Sequence, residues 1–139
     1  MGWSKTAYRG RGGWQRAIGP LVLSHTGTMA VADRTVGAET WRHAIISTSG
    51  TLSRVSGAGT VKARPLAAGG AGGRGFSGGG AAGQLLDEAD FVFDASTPDQ
   101  VITIGAGAPR QTTAATDGTA GGDTVGLGRT AVGGAGGSR

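Results

Sequence analysis

The chain has 139 residues, 30 of them glycine, a formal net charge of +4 and only 5% aromatic residues. Such a length holds one domain, or a small domain with an anchoring arm, and so thin an apolar complement hardly offsets the entropy of ordering that much glycine. Support from oligomerisation or from docking into a larger assembly is therefore expected. The chain has no cysteine, which excludes disulfides and all Cys-based metal or nucleophile chemistry, and it has no asparagine, which excludes N-glycosylation.

The charge is uneven. Residues 1–43 carry six basic groups against two acids, whereas residues 44–139 carry seven of each. All three tryptophans and the single tyrosine also lie in the first third. The opening stretch "MGWSKTAYRGRGGWQRAIGP" has neither a helical nor a strand period and reads as an extended arm. Its anchors would be Trp3, Tyr8 and Trp14, its charge Lys5, Arg9, Arg11 and Arg16. No secretory pattern opens the chain and no apolar run has the length of a membrane span. Synthesis in the cytoplasm, with no membrane partner, is the expectation.

Residues 21–46 hold short β-prone runs, "LVLSHTGTMAVA" and "TWRHAII", the second carrying Trp41 as a further docking residue. Thr51–Val55 and Thr60–Leu66 then read as two strands joined by a Ser-Gly-Ala-Gly turn. Beyond a glycine run, "LLDEADFVFDASTPDQVITIG" suggests a hairpin. Ala89, Phe91 and Phe93 share one face, Val101 and Thr103 share a face of the return strand, and Ser96-Thr97-Pro98-Asp99 supplies the turn. A second glycine-rich stretch, "DGTAGGDTVGLGRTAVGGAGGSR", closes the chain. No segment has a 3.6-residue apolar period. The reading is all-β: short antiparallel strands with glycine-rich loops or polyproline-II-like segments. It divides into a basic, Trp-bearing arm (1–46) and a glycine-rich β domain (47–139).

The glycines show a period of three. Gly69, Gly72, Gly75 and Gly78 fall in one phase, and Gly122, Gly128, Gly134 and Gly137 share another. A threefold screw without internal hydrogen bonds is the polyproline-II geometry, and faces bare of side chains would let such screws bond backbone to backbone across chains. The competing reading, which periodicity alone slightly favours, is ordered loops with glycine chosen for positive φ.

The succession "GTVKARPLAAGGAGGRG", "GGGAAG", "ADFVFDAS", "PDQVITIGAGAP", "GTAGGDT" and "AVGGAGG" resembles the glycine-rich domain of bacteriophage minor tail and tail-tip proteins. The resemblance covers roughly residues 47–139. It implies a non-enzymatic structural or adhesive domain of the virion, often trimeric, that docks on other virion proteins or contacts the host cell surface. A capsid decoration or head-fibre protein is a variant of the same reading. Loop residues 108–116, with Arg110, Gln111 and Thr112, are the surface-contact candidates, because loops on a rigid scaffold commonly carry binding.

Other motifs give little chemistry. "YRGRGGWQR" resembles an RGG box, the mixture that binds single-stranded nucleic acid. One short box without an RNA-binding fold signature ranks below docking on an acidic subunit, so a nucleic-acid partner is the minority reading. His25 and His43 have no clustered partners for zinc. Ser24, His25 and Asp33 form a triad only on paper, since no strained nucleophile turn accompanies them. Asp87, Glu88 and Asp90 lack the spacing of a calcium loop and read as a charged strand edge. Catalytic residues, cofactors and metals are thus expected to be absent.

Overall fold

The computed structural model describes residues 20–138, so seven of the eight named docking-arm residues, Trp3 to Arg16, lie outside the described part. The described residues hold no helix and nine short strands. In chain order these are β1 (Val22–His25), β2 (Met29–Val36), β3 (Glu39–Ile46), β4 (Gly50–Ser56), β5 (Gly59–Ala63), β6 (Ala89–Phe93), β7 (Gln100–Ile102), β8 (Thr124–Gly126) and β9 (Arg129–Ala131). The all-β expectation is met.

A small apolar core sits between two sheets. β1, β4 and β7 form one antiparallel sheet and β5 with β6 a second. Leu52 from β4, Ile102 from β7 and Phe93 from β6 are buried together, with Leu21, Leu23, Val61 and Phe91 packed around them. The Phe91 and Phe93 rings add a tilted contact, their centroids 4.9 Å apart. Alternation on β6 puts Ala89, Phe91 and Phe93 inward, as its sequence pattern requires.

Strand pairing departs from the sequence reading. The runs around Thr51–Val55 and Thr60–Leu66 do form strands, but β4 and β5 do not pair with each other, and neither do β6 and β7. β4 pairs with β7, and β5 with β6. The physical reason is the core: Leu52 and Phe93 must face each other across two layers, so each expected hairpin turn becomes a crossing between sheets. Gly57, at φ +72°, lets the chain leave the first sheet after β4, and the Arg54 guanidinium donates to its carbonyl. After β6 the chain turns on Asp94, whose carboxylate accepts from the Ser96 N–H and hydroxyl and from the Thr97 hydroxyl. The first sheet draws strands from both sides of residue 46, since β1 bonds β4.

The glycine tracts are screws bonded to one another. Tract one (residues 66–75) donates from Ala67, Gly70 and Gly73 to the carbonyls of Gln84, Ala81 and Gly78 in tract two (77–86), at 2.9, 2.9 and 3.2 Å. Its next phase, Ala68, Ala71 and Arg74, donates to Gly122, Thr119 and Thr116 in tract four (116–123). Tract five (131–138) runs parallel to tract one, with Gly134 and Gly137 donating to Ala68 and Ala71. It also accepts from Gly78, Ala81 and Gln84 of tract two and from Gly118 and Gly121 of tract four. Tract three (104–108) closes the bundle through Gly122 to Ala106 and Ala108 to Gly69. Every one of these repeated series steps by three residues, the repeat of the polyproline-II screw.

This corrects the loop reading, and also the expectation that such bonds would run between chains. Among the described glycines only Gly37, Gly57, Gly75 and Gly128 have positive φ. The tract glycines serve close approach instead. A Cβ at Gly70, Gly118 or Gly121 would come within 3.0 Å of a backbone carbonyl of a neighbouring tract, far closer than packed atoms sit. The bundle closes within one chain, and the backbone supplies its own buried partners.

β8 and β9 form a tight hairpin within the second glycine-rich stretch. Leu127 (φ 52°) and Gly128 (φ 72°) take the left-handed conformations of a type I′ turn. Leu127 accepts that conformation while packing against the Phe93 core.

Candidate functional site

Two regions extend outward from the core and the bundle, the first joined to the core by Met29 and Ile46 at its base. The first is the β2–β3 ribbon, eight residues on each strand, hydrogen-bonded to no other strand of the described part. One face joins Asp33 to Arg42 through two hydrogen bonds of 2.7 and 2.9 Å, and those bonds hold the Asp33 carboxyl below its ordinary pKa. The register puts Ala30, Ala32 and Arg34 with Ile45, His43 and Trp41 on the opposite face. Trp41, the one docking residue in the described part, is about half exposed, and Ile45 is more exposed still.

The second region is one end of the bundle. Tract one ends at Gly75 (φ +99°), and the next residue, Phe76, stands wholly in solvent. Against the last residues of tract one, through Arg74, lies the loop expected to make surface contacts. Arg74 and Thr116 bridge its base, where the Ala115 N–H donates to the Arg74 carbonyl and the Thr116 hydroxyl to the Thr113 carbonyl. The other end of the loop is fixed by the Ala108 N–H on the Gly69 carbonyl. An open hollow of about 490 Å³ separates loop from tract, with Arg74 and Arg110 among its lining residues. Arg110 and Thr112 are exposed, and Gln111 is half-buried, its amide 3.5 Å from the Thr119 hydroxyl.

The named glycines are dispersed. Gly134 and Gly137 are buried where a Cβ would strike the carbonyls of Ala81 and Gly78, and Gly122 sits close to Ala106. Gly128 serves the β8–β9 turn and Gly75 the end of tract one. A Cβ at Gly69, Gly72 or Gly78 would meet only ordinary van der Waals distances. In tract one the close approach is made by the adjacent phase, Gly70 and Gly73. Counting glycines could not reveal this, because both phases are glycine and only the neighbours distinguish them.

Other polar groups are structural. His25 Nδ1 accepts from the Gly27 N–H, and its buried Nε2 has no hydrogen-bond partner among the described residues. Asp90 pairs with Lys62 across β5 and β6 at 3.3 Å, with both side chains well exposed. The described residues include no group of three His, Asp or Glu placed to hold a metal. Sequence reasoning missed Phe76 and Arg74. The signal was present in "GRGFSG", where a large aromatic interrupts a glycine phase. No protein-family model, curated protein or solved structure matches the chain.

Proposed function

We propose that this chain is a non-enzymatic structural protein of a bacteriophage particle, a minor tail or tail-tip protein that docks through its N-terminal region and displays the glycine bundle outward. The observation that carries the reading is the bundle. Its five tracts give a scaffold rich in glycine and alanine, tied by backbone hydrogen bonds and holding a loop by both ends. Such a scaffold suits presentation of a contact surface, because little ordering remains to be done on binding. The resemblance of residues 47–139 to phage tail domains points the same way.

Docking would use the basic arm and the β2–β3 ribbon. A two-stranded ribbon is marginal in water by itself, and this one exposes Trp41, Val31 and Ile45. Burial against other virion proteins or further copies, three in the preferred assembly, would stabilise it. Positive charge in the arm would speed and orient encounter with an acidic surface.

The test is to purify particles from a lysate of cells producing the phage that encodes this chain. Antibodies to residues 47–139 should label one end of the tail in electron micrographs. Labelling of the capsid would favour a decoration protein, and a chain found only in the soluble fraction would overturn the reading.

A further inference from the structure

The hollow at the end of the bundle has an unused row of backbone groups. In a threefold screw the three phases point in three directions. Tract one commits its first phase to tract two and its second to tract four. The third phase is Gly69, Gly72 and Gly75. Gly69 accepts from Ala108, and there the covering strand leaves. The N–H and C=O groups of Gly72 and Gly75 engage no other described residue, and both glycines line the hollow. Neither carries a side chain to keep a ligand from that backbone.

The rim of the hollow is positive. Among the described residues the Arg74 and Arg110 side chains make no hydrogen bond or ion pair, and no acid lines the hollow. Phe76, next in the chain to Gly75, offers a free aromatic face.

We propose that this hollow binds an anionic saccharide. Sugar hydroxyls both donate and accept, which suits the paired N–H and C=O groups of Gly72 and Gly75. Carboxylate or phosphate substituents would meet Arg74 and Arg110 in charge-assisted hydrogen bonds, and Phe76 would lie on the apolar face of a ring. An acidic peptide fits less well, because peptides added along a backbone rely on pockets for alternate side chains. Among the described residues, the only hydrophobic side chains lining this hollow are those of Ala71 and Ala108. The inference rests on the virion reading only for where such a saccharide would come from, the host surface.

The test is calorimetric titration of the full chain with an oligoglucuronide, a phosphorylated oligomannoside, uncharged dextran oligomers and an oligoglutamate peptide. At least one of the two charged saccharides should bind, more weakly as salt is raised, and dextran should not. Which one binds identifies the anion. Arg74→Gln and Arg110→Gln should each weaken binding by about tenfold, the loss of one charge-assisted hydrogen bond, and Phe76→Ala should weaken it with no change in circular dichroism or thermal midpoint. Failure of both charged saccharides to bind would overturn the proposal. So would undiminished binding by the arginine variants, or tighter binding of oligoglutamate. Incorporation of the wild-type chain into particles separates the two ideas. A wild-type chain present in particles but indifferent to saccharides sinks the site alone, whereas a wild-type chain missing from particles sinks the virion reading.

Discussion

Two glycines of the tracts can have opposite requirements. At Gly118 a Cβ would strike the Ala71 carbonyl, whereas at Gly79 it would meet nothing within 4 Å. Gly118→Ala should therefore destabilise by roughly 1–3 kcal/mol or more, the cost of overpacking against backbone that cannot move aside. Gly79→Ala should be neutral or stabilising by up to about 1 kcal/mol, through the entropy lost from the unfolded chain. Urea unfolding of both variants checks the pair. Asp94 gives a second residue-scale prediction. Hydrogen bonds from Ser96 and Thr97 hold its carboxyl below the ordinary value of 3.8. A depressed folded-state pKa contributes stability above the unfolded value, and that contribution is lost as pH falls through the folded one. The advantage of wild type over Asp94→Asn should thus be constant near neutrality and shrink below about pH 4, as read by unfolding at several pH values.

At the scale of elements, the strands were legible and their pairing was not. Alternation in "ADFVF" marks the inward face of β6, and "GTVKA" its partner, yet hairpin logic assigns each strand to its neighbour in sequence. What decides otherwise is Phe93, 1% exposed, which has to meet Leu52 and Ile102 from the other sheet. Phe93→Ala should cost about 3–5 kcal/mol and lower the thermal midpoint more than any single change on the ribbon. The β8–β9 hairpin was hidden because "VGLGRT" looks like more glycine tract, and leucine is a poor sequence signal for a left-handed turn position. For the β2–β3 ribbon, a covering partner predicts that amide protection in Ala30–Thr35 and Thr40–Ile45 falls on dilution of the full chain. Protection independent of concentration would say that the ribbon is held within one chain.

For the whole molecule, the period of three was readable from glycine spacing, but its meaning was not. Loops with positive φ and packed screws ask for the same residue, and only the bonding of distant tracts separates them: Ala68 to Gly122, Gly134 to Ala68, Gly78 to Ser138. The Arg74–Arg110 rim comes from that arrangement too, since both residues line one hollow where Ala108 and Thr116 pin the loop to tract one. The central claim is that the glycines are held by each other's backbones. Residue-resolved amide hydrogen exchange on the full chain tests it most directly. The account predicts slow exchange at Gly70, Ala71, Gly73, Arg74, Gly134 and Gly137, and fast exchange at Gly72 and Gly75 between and beside them. Uniformly fast exchange along residues 66–75 and 131–138 would contradict it and return these tracts to the class of loops.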